Sequence, residues 1–257
     1  MRKSFLIARS NIRKAKGQTA AIVVLILLAA LMFHLWLMLS IDYKQNFDWY
    51  HRKLNAEHVT VLAVSTEDSF RLRMAETLKA DPRTEALCMD DIISLPFVFD
   101  YSGGAVSCDG YVMKKETALQ REVGRVEIVE DSAGSGIYLP LLYGMGDNYH
   151  VGDILTLNIG GNTVRYPIRG FFNSIMTGSH NCTINALLLT EDLYDQLAEE
   201  SFVYPATLLS VRIHDQSDSE SYEAMVKNVI SAEYPEVRAF SNSYTLVSQS
   251  RYISQTI

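Results

Sequence analysis

The sequence predicts an α+β extracytoplasmic domain carried on a single N-terminal transmembrane helix with a helical stalk. Three observations lead there. Gln18–Ser40 ("QTAAIVVLILLAALMFHLWLMLS") is apolar over a membrane-spanning length, the residues after it keep a helical apolar spacing, and the rest alternates strand-like with helix-like segments.

Thr19–Ile41 carries no formally charged side chain. As a helix it measures about 34 Å, against a hydrocarbon core of roughly 30 Å. Its Leu, Ile, Val and Phe residues each favour insertion by about 0.3–0.6 kcal/mol, which together outweighs one neutral His34. Arg2, Lys3, Arg9, Arg13, Lys14 and Lys16 precede the span with no acidic residue among them. The positive-inside rule therefore puts the N-terminus in the cytoplasm and the main domain outside. A cleaved signal peptide would have an apolar region of about 7–15 residues ending at a small-x-small site; "LWLMLSIDY" ends in bulky residues instead.

The chain accordingly divides into a cytoplasmic basic amphipathic segment (1–16), a transmembrane helix (17–41), a stalk helix (42–57), an α+β domain (58–245) and the start of a return stalk (246–257). Phe5, Leu6, Ala8 and Ile12 give the first segment an apolar side suited to the headgroup region. In the span, His34 either bonds a neighbouring helix or reaches with Trp36 toward the outer interface. Leu39, Tyr43, Phe47, Tyr50 and Leu54 recur every three or four residues. Together with Trp49 they predict a stalk face packed against a neighbour.

Beyond the span, 17 basic residues stand against 30 acidic ones. So acidic a body repels phosphate backbones, which argues against a nucleic-acid partner.

"HVTVLAV" (58–64) reads as a strand, and "STEDSFRLRMAETLKADP" as a helix with acidic residues in its first turn and Pro82 after its end. A hairpin turning at Gly103-Gly104 is expected in "ALCMDDIISLPFVFDYSGGAVSCDGYVMKKE". Ile154–Leu157 enters a strand, "NIGGN" turns it, and "TVRYPIRGFF" returns antiparallel. "CTINALLL" is a buried strand leading into a helix capped at Thr190, with Glu191 and Asp192 at its positive end. After the strand "TLLSVRIHD", Tyr222, Met225, Val226, Val229 and Ile230 share one helix face, and "EVRAFSNSYTLV" is the last strand.

Chemistry-bearing motifs are sparse. No Gly-x-x-x-x-Gly-Lys-Ser/Thr loop occurs, so any ATP that drives this protein is bound by another chain. "AGSGIYL" around Ser135 lacks nucleophile-elbow spacing and reads as a loop before a strand. His34, His51, His58, His150, His180 and His214 show no spacing that puts two on one helix face, and "HNC" at His180–Cys182 is a weak chelate, so no metal is expected. "NCT" at Asn181 matches a glycosylation acceptor, a match short enough to arise by chance. Asp90-Asp91 and Glu199-Glu200 read as solvated surface charge. Cys88, Cys108 and Cys182 are too few for a disulfide framework; they are three buried or half-buried thiols, or two of them bridge in a pairing the sequence does not select.

Two stretches resemble the FtsX-like or MacB-type permeases of ABC transporters. "FLIARSNIRKAKGQTAAIVVLILLAALMF" is similar to that family's start, an amphipathic basic segment running into the first membrane helix. "YLPLLYGMGDNYHVGDILTLNIGGNTVRYPIRGFF" is similar to its pattern of apolar run, helix, Val-Gly-Asp, strand and return strand ending in glycine. The matching positions are Val151, Gly152, Asp153, Leu155, Leu157, Tyr166, Ile168 and Gly170, and their roles are structural. Gly152-Asp153 makes the turn into the strand, glycine supplying positive φ and Asp153 bonding nearby amides. "LLYGMGDNYH" departs from the pattern, being a poor helix.

The resemblance implies a non-enzymatic membrane subunit of a bacterial inner (cytoplasmic) membrane. Its MacB-like periplasmic core domain relays ATP-driven motion to export a substrate or act on an extracytoplasmic partner protein. Implied partners are a separate ABC ATPase subunit, a second permease copy or paralogue, and the lipid bilayer; the chain itself takes no cofactor. Three further membrane helices belong to the pattern, so the chain is expected to be the N-terminal piece of a longer permease. Two other classes remain at this level: a membrane-anchored sensory ectodomain, which the Val-Gly-Asp region argues against, and an anchored enzyme, which the missing catalytic constellation argues against.

Overall fold

A computed structural model describes residues 16–146, 148–178 and 182–248. The basic segment 1–15, His180, Asn181 and the end of the return stalk lie outside the described residues. The chain forms two units, Met1–Asn46 and Phe47–Ile257.

In chain order the elements are α1 (Lys16–Lys53), β1 (Val59–Ala63), α2 (Asp68–Ala80), β2 (Thr84–Tyr101), β3 (Gly104–Lys114), α3 (Lys115–Gln120), β4 (Glu127–Asp131), β5 (Ile137–Pro140), β6 (Ile154–Ile159), β7 (Asn162–Asn173), β8 (Asn185–Leu189), α4 (Glu191–Ala198), β9 (Tyr204–Ile213), α5 (Ser219–Glu233) and β10 (Ala239–Ser243). The described chain is thus mixed α+β.

The first unit is the apolar part of α1. Lys16–Met38 is 23 residues long and apolar enough to cross a membrane, with none of it buried by the protein. Leu25 and Met32 are each 65% exposed.

In the second unit, two lobes share the 18-residue strand β2. One lobe is an antiparallel sheet in the order β10-β1-β9-β2, the order of a split β-α-β fold. Its helices α2 and α5 cover one face: Val59, Val61 and Ala63 of β1 and Leu209, Val211 and Ile213 of β9 meet Phe70, Met74, Leu78, Tyr222, Val226 and Ile230. Met225 and Val229 flank that contact, so the whole predicted face of α5 turns inward.

The second lobe is inserted between β2 and β9. β2-β3-β8-β5-β7-β6 follow one another, and β6 returns to β2 at Val98↔Asn158, closing a small barrel. Period-2 alternation fills it: Ile93, Leu95, Phe97 and Phe99 of β2 and Leu155, Leu157 and Ile159 of β6 point inside. Pro96 falls on the β2 positions whose backbone turns away from β3, so its missing N–H takes nothing from that ladder. A third cluster, with Leu62, Ile92, Tyr111, Tyr138, Leu188 and Leu208, packs the outer side common to both lobes.

Several expectations need adjusting. The first hairpin turns at Ser102-Gly103 (φ 52° and 78°), one residue before the predicted pair, and the second turns as predicted at Gly160-Gly161 (58° and 89°); both are the positive-φ turns whose twist suits tight hairpins. The last strand stops at Ser243, and Tyr244–Ser248 is helical. Thr190 occupies the N-cap position of α4, but its hydroxyl accepts from Gly136 N–H, holding the loop before β5 instead of the helix end. Leu141–Gly144 is a single 3-10 turn, in keeping with the poor helix read in "LLYGMGDNYH".

Candidate functional site

The place where the chain enters the second unit is built from one helix face. Phe47, His51 and Leu54 stand four and three residues apart on the last turns of α1 and are 6%, 3% and 4% exposed. Asn55 ends the helix at φ 45°. Its N–H bonds Arg52 O at 3.1 Å and the Ala56 N–H bonds His51 O at 2.9 Å, a Schellman closure with asparagine in the left-handed position. Arg52 and Lys53 supply positive charge at the negative end of the helix. Of the predicted stripe, Phe47 and Leu54 are buried and Tyr50 half-buried, whereas Trp49 is 50% exposed, edge-on to Tyr50 with Lys53 over its ring. Lys53 makes the better use of that face as a cation over an aromatic.

Four rings interlock at this root. His51 and His58 stack with centroids 4.8 Å apart, Tyr244 meets both edge-on at 5.0 and 5.8 Å, and Phe47 lies 5.4 Å from Tyr244. Tyr244 O–H donates to Asp48 at 2.6 Å, and its N–H donates to His58 O at 2.7 Å. His58 Nδ1 accepts the Ile213 N–H at 3.0 Å, so its proton sits on Nε2; His51 Nε2 faces Glu57 O at 3.0 Å and must be the donor. Burial, then the neighbouring His51 and Arg212, push the His58 pKa down to about 3. Burial also lowers that of His51.

Beside the rings lies a buried ionic cluster. Arg121 is 6% exposed, lies 3.0 Å from Asp90, and donates to Gly124 O and Ser210. Glu57, 3% exposed, accepts from Thr60 at 2.8 Å. Burial alone would lower the Arg121 pKa; the charges facing it, Glu57 foremost, raise it instead. Asp90 therefore corrects the reading of Asp90-Asp91 as solvated charge. On a strand adjacent residues face opposite sides, and only Asp91 is outside, paired with Arg71 at 2.6 Å. Glu199 and Glu200 are exposed as read.

Residues 53–58 thus touch both lobes. Toward the barrel, Lys53 pairs with Glu127 at 2.6 Å, Asn55 donates to Glu122 O, and Gly124 and Arg125 donate to Asn55 O and Leu54 O. Toward the split β-α-β lobe, Arg212 donates to Ala56 O at 2.6 Å, and His58 holds Ile213 and Tyr244. Gly124, at φ +69°, has the Glu57 carboxylate where a Cβ would go.

The residues singled out in the sequence lie elsewhere. Gly152 has φ +99° and open space around it; its N–H bonds Ile168 O, and Ile168 N–H bonds Asp153 O, each at 2.8 Å. The Asp153 carboxylate accepts from His150 N–H at 2.8 Å. Val151 packs against the barrel core. Gly170 sits where a Cβ would run into the Glu130 carbonyl and the Tyr138 ring. These residues fix the β6–β7 hairpin and its contact with β4. His34, in the first unit, is exposed on α1. Sequence reasoning missed His51, His58, Glu57, Arg121 and Tyr244; His51 lies four residues from Phe47 on the predicted stripe, which is the signal that could have found it.

Among the described residues no three His, Cys, Asp or Glu side chains stand together as a metal site. Cys88, Cys108 and Cys182 are thiols, the last two buried.

No family model matches the chain. No curated protein matches it either. Similar solved structures include the periplasmic region of MacB from Actinobacillus actinomycetemcomitans, at 11% identity and TM-score 0.30, covering 77% of this chain and 92% of that one. The extracellular domain of the noncanonic ABC-type transporter YknZ from Gram-positive bacteria is similar at 8% identity and TM-score 0.29, covering 71% and 99%.

Proposed function

We propose that the chain is the permease subunit, or the N-terminal part of one, of an FtsX/MacB-type ABC transporter. A separate ATPase subunit binds and hydrolyses ATP, and a second permease copy or paralogue completes the membrane part. The N-terminus lies in the cytoplasm of a bacterial cell and the second unit outside its inner membrane. The protein performs no chemistry of its own; motion of the membrane helices is delivered to the ectodomain, which moves a substrate or acts on an extracytoplasmic partner.

The observation that supports this reading is the root. A flexible tether would suffice for an anchored enzyme or a passive domain. Here the end of α1 is closed by a Schellman turn, buried on one face, and bonded to both lobes within six residues, 53–58. Tyr244, where the outgoing helical segment begins, is locked to Asp48 and to the same two histidines. Incoming and outgoing segments are joined side by side, an arrangement that passes a displacement of one helix into the domain instead of absorbing it.

The test is purification of the tagged chain from its native membrane in mild detergent, with mass spectrometry of what accompanies it. An ABC ATPase and a second permease chain are expected. A chain that purifies alone, or with a cytoplasmic kinase module, contradicts the proposal and favours the sensory class.

A further inference from the structure

The barrel is closed unevenly. β2 and β6 meet at Val98↔Asn158, and toward the start of β6 and the end of β2 no further pair joins them. Both strands leave that junction from two-residue hairpins, β2–β3 with Tyr101↔Gly104 flanking the turn and β6–β7 with Ile159↔Asn162. In such hairpins the flanking pair is hydrogen-bonded and hydrogen-bonded pairs then alternate. Leu155, Leu157 and Ile159 therefore bond β7, while Ile154 and Thr156 turn their N–H and C=O groups toward β2. On β2, Asp100 faces the same way.

A groove of about 410 Å³ opens at this seam, lined by Asp100, Ser102, Asn148, Tyr149, Ile154 and Thr156. Two of these residues already act as strand substitutes. Tyr149 O–H donates to Asp100 O, the acceptor a neighbouring strand would use, and Asn148 accepts from Ser102 N–H and O–H. Among the described residues Ile154 and Thr156 have no such substitute. Ile154 is 56% exposed beside them, an apolar side chain left on the outer surface at an open edge. Native sheets seldom leave such an edge undefended, and an extended segment from another chain is what fits it.

The charge of the groove selects the segment. Asp100 is exposed and, among the described residues, is the only charged one in its lining. The body beyond the span carries 17 basic against 30 acidic residues, so the field around the groove favours a cation.

We infer that this seam is a peptide-binding slot: an extended, basic segment of an extracytoplasmic partner protein adds as a strand along Ile154–Thr156 and sets a Lys or Arg beside Asp100. This goes beyond the transport reading, since it names an occupant for the barrel whether or not an ATPase drives the domain.

The probe is the peptide acetyl-Thr-Val-Lys-Val-Thr-amide, titrated calorimetrically against the full chain in detergent. Binding is expected, weaker by about fivefold when Lys is replaced by Glu or when Asp100→Asn is introduced, the range of an exposed ion pair. Asp100 is exposed, so that variant does not threaten the fold. Two isomers of the peptide, N-methylated at its first and third residues or at its second and fourth, separate strand addition from simple charge attraction. One isomer is expected to lose at least about tenfold through its missing donors while the other binds as before. No binding by the parent peptide, equal binding of Lys and Glu versions, or equal binding of the two methylated isomers each overturns the proposal.

Discussion

Acidification should loosen the root of the stalk, and His58 gives the size of the effect. The ring is 4% exposed, and its Nδ1 accepts the Ile213 N–H at 3.0 Å. Protonation would set one donor against another. Its neighbours compound this: His51 stacks on it and Arg212 opposes a positive charge, while Asp215 works the other way and is outweighed. Glu57 and Asp48 favour the charged form of His51 in the same cluster, again outweighed by burial. The folded pKa of His58 is depressed to about 3 from the ordinary 6.5. Between those values the unfolded chain holds one proton more than the folded one, so stability is intact above about 6.5 and falls as pH drops toward 3. The slope is about 1.4 kcal/mol per pH unit, which accumulates to about 2 kcal/mol at pH 5; His51 adds to it in the same direction. The assay is urea denaturation of the detergent-solubilised chain at pH 7.5 and 5.0, followed by circular dichroism, for the wild type and His58→Asn. Asparagine places an oxygen near the position of Nδ1 and cannot titrate, so the variant should lose about 2 kcal/mol less on acidification. Equal losses in both proteins would show that His58 does not carry the effect.

Gly170→Ala should destabilise the chain by about 1–3 kcal/mol in the same assay, because the new methyl group forces β4 away from β7. Gly152→Ala, strained at φ +99° but free of clashes, should cost about 1–2 kcal/mol. A larger loss at Gly152 than at Gly170 would contradict the assignment of close approach to the one and backbone conformation to the other. Asp90→Asn should cost about 3 kcal/mol, since it leaves Arg121 with less buried charge to oppose it. Asp91→Asn, whose partner Arg71 sits at the surface, should change stability by less than about 1 kcal/mol. Similar losses from the two aspartates would show that Asp90 is solvated after all.

Local elements were the legible part of the fold. Gly160-Gly161 announces its hairpin because two consecutive positive-φ positions admit few other residues, and the face of α5 shows in the spacing of Tyr222, Val226 and Ile230. Barrel closure could not be read that way. The β3–β8 and β5–β7 pairs are parallel and join strands far apart in sequence, and the seam rests on one bridge between Val98 and Asn158. No local pattern encodes such pairings. The root was hidden for another reason: its decisive residues are polar. His51 interrupts an apolar stripe, and Asp90 shares an acidic pair with a surface neighbour. Each reads as exposed until three-dimensional partners, Tyr244 and Arg121, come from far along the chain. The Val151-Gly152-Asp153 turn, by contrast, was visible because its chemistry is local, a positive-φ glycine followed by a carboxylate that bonds a backbone amide three residues back.

The claim that matters most is that the root transmits displacement from membrane helices to ectodomain. It is tested by placing an unnatural-amino-acid spin label at Leu72, 65% exposed on α2, in both copies of this chain in the proposed transporter and measuring the distance between them with and without ATP. In the wild type the distance is expected to change with ATP. With Tyr244→Phe and Asp48→Ala together, which remove the 2.6 Å bond between outgoing and incoming segments, the change should disappear while ATP hydrolysis continues. An ATP-dependent change that persists undiminished in the double variant would contradict it.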